Sequence, residues 1–208
     1  MNCGSLEWRC KMTNKNAVKK VLVLLGSPRK KGNSALLAER IAQGAKSIGA
    51  KVETLYIHGM KIAPCRSCYA CQKPNSKGCS INDDMQIVYK KLRESDAWVI
   101  ASPVYWFTLS AQTKLWMDRT FALIPYAKEV FAGKRIAIAM SYGDSDPFKS
   151  GCVNALRTFQ DAYNYVEACI VGMVYGSAMD AGEIADNKPL MKEATELGKR
   201  LVSDYGSQ

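Results

Sequence analysis

Four cysteines lie within fifteen residues of this chain, at Cys65, Cys68, Cys71 and Cys79. Their spacing is C-x2-C-x2-C-x7-C, so three thiols recur every third residue and the fourth follows a Pro/Asn/Ser/Lys/Gly loop. Thiolates spaced in this way can converge on the corners of a [4Fe–4S] cluster. Structural zinc more often uses two separated cysteine pairs. The pattern therefore predicts a redox protein, with zinc, a redox-active thiol pair or no metal as the alternatives for these residues.

The length and composition favour one globular domain without a membrane segment. The chain has 208 residues, of which 48% are hydrophobic and 23% charged. No apolar run approaches the roughly 18–20 residues that a membrane-spanning helix needs. Residues 1–16 are polar and basic and lack the apolar segment of a secretory signal. We therefore expect a flexible basic leader over 1–16, one domain over 17–208, and a cytoplasmic protein that does not associate with membranes.

The positive charge is concentrated near the N-terminus. The formal net charge is +10, and residues 1–34 carry eight Lys or Arg against Glu7 alone, which is +7 of that total. Such an uneven distribution suits an anionic cofactor or an acidic protein partner. Nucleic acid is not an expected partner, because no recognition-helix pattern or aromatic-interleaved basic strand accompanies the charge.

Short apolar runs alternate with segments of helical periodicity along the chain. The predicted strands are 21–25, 51–57, 96–102, 134–141 and 167–175, and the predicted helices are 34–48, 82–94, 110–123, 149–163 and 189–205. This alternation predicts an α/β fold, a doubly wound five-stranded parallel sheet with helices on both faces. The cysteine motif is an insertion over 62–82 that follows the second strand. Ligands of such sheets bind beyond the carboxyl ends of the strands.

Residues 26–34, the first loop, run from a strand into a helix N-terminus. Backbone amides and the helix dipole make this position a phosphate site, and Ser27, Arg29, Asn33 and Ser34 add donors and charge. The loop has neither a Walker A sequence nor G-x-G-x-x-G, so a single monophosphate fits best. The alternative is a polar turn without a ligand.

Two further loops end at the same edge of the predicted sheet. One follows the third strand and contains three consecutive aromatic residues, at 105–107, which either wall a planar ligand or cap the core. The other follows the fourth strand at 141–146 and combines a glycine with polar residues. A ligand that contacts all three loops has a phosphate, a linker and a flat ring. These features together predict FMN.

The chain resembles the iron–sulfur flavoproteins within the flavodoxin-like NAD(P)H-dependent FMN reductase superfamily. The motifs that carry the resemblance are GSPRKKGNS at 26–34, the four-cysteine motif, Asp83-Asp84-Met85, SPVYW at 102–106, and Lys114 with Asp118-Arg119. It implies a flavodoxin-like fold, FMN, a [4Fe–4S] cluster on the four cysteines, and a homodimer or homotetramer. The ring contacts that it implies are Pro103, Val104, Tyr105, Trp106 and Phe107 on one side, and Ser141, Tyr142, Gly143 and Asp144 on the other.

The predicted function is that of an FMN-dependent electron-transfer flavoprotein, in which electrons pass between the cluster and FMN. NAD(P)H or a ferredoxin-type carrier is the expected redox partner. A cluster-free NAD(P)H-dependent FMN or quinone reductase is the first alternative, and a zinc-stabilised, non-enzymatic flavin-binding protein is the second. No catalytic side chain is predicted, because a flavin accepts electrons itself. Asn82, Asp83 and Asp84 are interpreted as a helix cap, and Lys114, Asp118 and Arg119 as structural.

Overall fold

A parallel sheet forms the centre of the structure. The computed structural model describes residues 20–203, so the leader predicted for 1–16 lies outside the described residues. The parallel strands are β1 (Lys20–Leu25), β2 (Lys51–Tyr56), β3 (Ala97–Tyr105), β5 (Arg135–Tyr142) and β6 (Cys169–Ser177), and β4 (Thr108–Leu109) pairs antiparallel with the end of β3. The helices are α1 (Asn33–Ser47), α2 (Met85–Glu94), α3 (Ala111–Arg119), α4 (Ala127–Val130), α5 (Cys152–Tyr165) and α6 (Lys188–Val202).

The order of the strands is β2-β1-β3-β5-β6. If the parallel strands are counted alone, this is the order 2-1-3-4-5 of flavodoxin-like sheets, and the predicted fold class is confirmed. Connections leave β1 and β3 in opposite directions along the sheet, so a crevice opens between the carboxyl ends of these two neighbours. Flavodoxin-like proteins bind FMN at this switch point.

Helices cover both faces of the sheet because successive strand residues point to opposite sides. In β1, Val21 and Val23 pack in the cluster that α1 and α6 cover, whereas Leu22 and Leu24 belong to the cluster that α2, α3, α4 and α5 cover. The inner strands β1, β3 and β5 are therefore mostly apolar, as expected for strands that are buried on both faces, whereas the edge strand β2 carries exposed Lys51 and Glu53. None of the helices within residues 20–203 is long and apolar enough to span a membrane.

Two glycines allow α1 and α6 to pack backbone against backbone. A Cβ atom added at Gly44 would lie 2.0 Å from the carbonyl oxygen of Thr195, and one added at Gly198 would lie 1.9 Å from that of Ile41. No larger residue fits at either position without moving one helix. This contact fixes the orientation of α1, whose N-terminus faces the crevice.

Some element boundaries differ from those predicted. The third strand was expected to end at Ser102, but β3 continues to Tyr105 because β4 supplies antiparallel partners for its last residues. The helix expected over 110–123 ends as an α-helix at Arg119 and continues as a 3-10 helix over Thr120–Tyr126. Pro125 lies inside this segment and cannot donate an α-helical hydrogen bond, which favours the change.

Candidate functional site

A cleft of about 210 Å³ lies at the carboxyl ends of β1, β3, β5 and β6. Its lining residues are Ser27, Arg29, Gly32, Asn33, Ser34, Pro103, Val104, Tyr105, Ser141, Tyr142, Gly143, Ala178 and Met179. The three loops singled out in the sequence therefore meet at one cleft. Ala178 and Met179 were not predicted, although they follow a strand that ends at the same edge. Trp106, Phe107 and Asp144 do not line it.

The first loop places a helix N-terminus at one end of the cleft. Gly32 is the N-cap residue of α1 and has an extended backbone. Because glycine has no side chain, no side-chain hydrogen bond caps the first amides of the helix. The first amides of a helix have no partner within the helix, and its dipole attracts negative charge. Ser34 is only 1% exposed, yet its hydroxyl oxygen has no hydrogen-bond partner. An unpartnered buried hydroxyl beside free helix amides fits a bound phosphate.

Asn33 holds the loop that follows β6. Its side-chain nitrogen donates to the carbonyl oxygen of Asp180 at 2.8 Å, and its side-chain oxygen accepts from the amide of Gly182 at 2.9 Å. The sequence suggested this amide as a phosphate donor. The structure instead uses it to join the start of α1 to the loop that contributes Ala178 and Met179.

Buried hydroxyl groups support the floor of the cleft. Ser110 donates to the carbonyl oxygen of Gly26 at 2.7 Å, and its backbone amide donates to the Ser102 hydroxyl at 2.9 Å. Its hydroxyl oxygen also caps α3 by accepting from the amide of Thr113. A Cβ atom added at Gly26 would lie 1.9 Å from the Thr113 hydroxyl. The start of α3 is thereby joined to the ends of both β1 and β3.

Trp106 and Phe107 form the turn between β3 and β4. Their φ angles are 47° and 66°, in the left-handed region that bulky residues rarely adopt. Phe107 packs closely on Gly151, where an added Cβ atom would lie 2.4 Å from its carbonyl oxygen. Asn154 donates to that same oxygen at 3.1 Å. Trp106 is 91% exposed and does not line the cleft, so its predicted contact with the flavin ring stays a prediction.

The loop after β5 forms another side of the cleft. Ser141 and Tyr142 are buried, and Gly143 lies beside Met179, since an added Cβ atom would be 2.8 Å from its sulfur. Asp144 is turned toward its own loop. Hydrogen bonds from the backbone amides of Ser145 and the following residue lower the pKa of the Asp144 carboxyl.

The cysteine loop, residues 62–82, carries the four predicted metal ligands. All four thiols are free; Cys65 and Cys68 are exposed, whereas Cys71 and Cys79 are half-buried and pack against the core. A backbone hydrogen bond at Ala70, with smaller help from other groups, lowers the pKa of Cys68. Within residues 20–203, no three Cys, His, Asp or Glu side chains form a group that could hold a metal ion. The four thiols thus share one loop but are not gathered into a metal site.

One side of the cysteine loop is held on the segment that follows α3. The Gln72 side chain donates to the carbonyl oxygen of Phe121 at 2.8 Å and lies 3.2 Å from the sulfur of Cys71. The Tyr126 hydroxyl donates to the carbonyl oxygen of Ser76 at 3.1 Å. The half of the loop near Cys71 is therefore attached to the protein by polar contacts.

Arg119 and Asp83 form a buried ion pair beside Cys79. The Arg119 guanidinium donates to both carboxylate oxygens, at 2.7 and 3.1 Å, and to the carbonyl oxygen of Ala63 at 2.6 Å. Its Nη2 also lies 3.4 Å from the sulfur of Cys79. Burial opposes ionisation of Asp83, but hydrogen bonds from Arg119, Ala63 and Met85 outweigh it and lower the pKa of Asp83. No sequence pattern predicted this pair, because its members are 36 positions apart.

The carboxylates near the start of α2 mainly close the cysteine loop. Asp84 accepts from the amide of Lys61 at 2.7 Å and its own amide donates to the Lys61 carbonyl oxygen at 3.2 Å. The predicted cap at Asn82 is wrong, because the N-cap residue of α2 is Asp84, whose side chain makes no cap hydrogen bond. The predicted pair of Lys114 and Asp118 is present on α3, at 2.5 Å.

Comparison with known proteins identifies the family. The family model for NADPH-dependent FMN reductase matches residues 19–181. The chain belongs to this family. Its members are flavin-dependent oxidoreductases, so FMN is the expected ligand of the cleft at the sheet edge.

Several proteins with similar sequences are named iron-sulfur flavoprotein. One from Methanosarcina thermophila is 35% identical over 187 residues, which cover 89% of this chain and 90% of the relative. Another from Archaeoglobus fulgidus is 30% identical over 196 residues, which cover 91% and 81%. Among solved structures, the NAD(P)H:quinone oxidoreductase from Methanothermobacter marburgensis has a TM-score of 0.65 at 16% identity, covering 89% of this chain and 98% of that one. At that identity it supports the flavodoxin-like fold alone.

Proposed function

We propose that this chain is an electron-transfer flavoprotein that binds FMN in the cleft between β1 and β3. The observation that carries the FMN site is the buried, unpartnered hydroxyl of Ser34 beside the free amides of α1. A phosphate at this position satisfies both sets of donors, and Arg29 adds a positive charge at the cleft.

The rest of the cleft suits a flat ring. Pro103 and Tyr105 lie on the β3 side, and Tyr142, Gly143 and Met179 lie on the β5 and β6 side. When bound, FMN supplies the exchange between two-electron and one-electron donors and acceptors. The chain's own residues bind the phosphate, hold the ring at the sheet edge and exclude water from one side of it. No nucleophile or general base is required.

We assign Cys65, Cys68, Cys71 and Cys79 as the ligands of a [4Fe–4S] cluster. The donor set fits in kind, because four free thiols lie in one loop at the spacing of cluster ligands. The relatives named iron-sulfur flavoprotein support the assignment. Within residues 20–203 the thiols form no group that could hold a single metal ion, so the assignment is carried by their spacing and their chemistry. When bound, the cluster supplies one-electron exchange.

Electrons then enter from NADH, NADPH or a ferredoxin-type carrier, and the active form is a homodimer or homotetramer. The family description supports a nicotinamide donor. Nothing in the cleft selects NADH over NADPH, so both belong in the assay. Size-exclusion chromatography with light scattering tests the assembly state of the full chain.

A cluster-free NAD(P)H-dependent FMN or quinone reductase is the second candidate. Two of the thiols are exposed, two pack against the core, and within residues 20–203 they form no group that could hold a metal ion, which favours this candidate. Under this proposal the cysteine loop is a structural insertion, and the flavin passes electrons directly to a small acceptor.

Anaerobic purification of the full chain distinguishes the two candidates. FMN, iron and acid-labile sulfide are measured per chain, and reduction of the flavin by NADH, NADPH and reduced ferredoxin is followed by absorbance. About four iron atoms per chain, lost in Cys68→Ser but kept in Cys152→Ala, support the cluster. Cys152 is a free, buried cysteine outside the motif and so serves as the control. Flavin without iron, reduced by NADH or NADPH, favours the second candidate, and a chain that binds no FMN contradicts both.

A further inference from the structure

The two ends of the cysteine loop and one of its thiols meet at a single side chain. Arg119 is 1% exposed, and its guanidinium contacts Ala63 at the start of the loop, Cys79 near its end and Asp83 just after it. The Ala63 amide also donates to Asp83, at 2.9 Å. The entry and exit of the loop are therefore bonded to the same buried cation.

The contact with sulfur is not needed for charge balance. Asp83 already neutralises the guanidinium through two hydrogen bonds. The other N–H groups of the guanidinium could all have donated to carbonyl oxygens, as Nη1 does to that of Ala63. Instead Nη2 lies within hydrogen-bond distance of the Cys79 sulfur. A charged donor at this place stabilises negative charge on a sulfur atom.

Cys79 differs in this respect from the other cysteines of the loop. Cys71 is approached by the neutral amide of Gln72, and Cys68 by the hydroxyl of Ser80 at 3.6 Å. Cys65 and Cys68 are exposed. Cys79 is thus the thiol that a buried, ion-paired side chain holds against the core.

We infer that Arg119 is the positioning residue of the cysteine loop, which fixes Cys79 as its anchored ligand and donates a hydrogen bond to the sulfur. This rests on the proposed cluster only for its role in the loaded protein; the anchoring itself belongs to the metal-free chain. Groups that orient metal ligands from outside the coordination shell typically contribute roughly 10–100-fold to metal affinity. Arg119 is assigned that role, rather than contact with the flavin.

The first test uses hydrogen exchange of the flavin-bound chain before iron is added. Arg119→Lys keeps a positive charge for Asp83 but loses the planar fork that reaches Cys79 and Ala63. We expect amides in peptides covering 61–63 and 79–84 to exchange roughly tenfold faster or more, since hydrogen bonds to charged groups are lost. Peptides from α1 should not change. Lys114→Met is the matched control, because it removes an exposed ion pair on the same helix.

A second variant provides an independent test if Arg119→Lys does not fold. Combining Asp83→Asn with Arg119→Gln removes both buried charges together and so leaves no unpaired ion. It also removes the charged donor to Cys79. Faster exchange confined to the cysteine loop in either folded variant supports the inference. Exchange equal to that of the wild type in a folded variant overturns it.

The loaded protein provides a readout that a purely structural role would not move. After anaerobic reconstitution with iron and sulfide, the chelator concentration that removes half of the iron should fall roughly 10–100-fold in Arg119→Lys. The reduction potential of the remaining cluster should become more negative, because a hydrogen bond to a ligand sulfur is lost. An unchanged potential at full occupancy overturns the inference. If the wild type takes up no iron, the cluster proposal fails, and the exchange experiment alone decides the role of Arg119.

Discussion

Replacing Ser34 by alanine should change folding and FMN binding in opposite directions. In the flavin-free chain the Ser34 hydroxyl is buried without a partner, a state that costs about 1–3 kcal/mol. Removing it should raise the free energy of unfolding by up to that amount. With FMN bound, the same hydroxyl would donate to a charged phosphate. Loss of such a hydrogen bond costs about 1.5–3 kcal/mol, which raises the Kd for FMN by roughly 10–150-fold.

Urea unfolding with and without FMN measures both effects in one experiment. At 100 times its Kd, FMN stabilises the wild type by about 2.7 kcal/mol, whereas a variant with a 100-fold weaker site gains about 0.4 kcal/mol. Added FMN should therefore move the stability difference toward the wild type by about 2.3 kcal/mol. Ser47→Ala at the other end of α1 is the control, since that hydroxyl donates to Gly44. A flavin-free Ser34→Ala chain less stable than the wild type, or an unchanged Kd, would refute the phosphate assignment.

Three other predictions test the elements that hold the site. Gly198→Ala should lower the free energy of unfolding by about 1–3 kcal/mol, because its Cβ atom has no space against α1; urea unfolding measures this. Gly151→Ala should destabilise more than Gly182→Ala in the same assay, since both have left-handed backbones but an added Cβ atom meets neighbouring backbone only at the former. Equal losses would contradict the close contact. Asp83→Asn should cost about 3–5 kcal/mol at neutral pH. Since folding lowers its pKa, the Asp83 contribution is full above the ordinary value of 3.8 and disappears as the pH falls through the folded value, so the stabilities of variant and wild type should converge in acid.

The alternation of elements could be predicted because most strands are short apolar runs and the helices have apolar stripes of their own. The five strands, their parallel arrangement and the edge at which three loops meet all follow from such local patterns. The extension of β3 to Tyr105 could not be predicted in this way. It depends on pairing with two residues of β4, and Trp106 and Phe107 carry none of the Gly or Asn signals that usually mark a two-residue turn.

The polar side chains were harder to place than the loops that carry them. Ser34 and Asn33 are adjacent and equally suited to a phosphate by type, yet one is unpartnered and the other is bonded to the loop after β6. That difference depends on a segment about 145 positions away. Similarly, Asp83 has the residue type of a helix cap, and its partner Arg119 becomes visible only when α3 packs beside the cysteine loop.

The nine residues of α3 act as a spacer of fixed length between the two candidate redox sites. Just before its first turn, Ser110 is bonded to Gly26 at the floor of the cleft, and in its last turn Arg119 is bonded to Cys79. A helix advances about 1.5 Å per residue, so the backbones of Ser110 and Arg119 lie roughly 13 Å apart along the helix axis. Inserting one residue would turn the Arg119 end by about 100° as well as lengthen it. The length of α3 therefore couples the position of the cleft floor to that of the arginine beside Cys79.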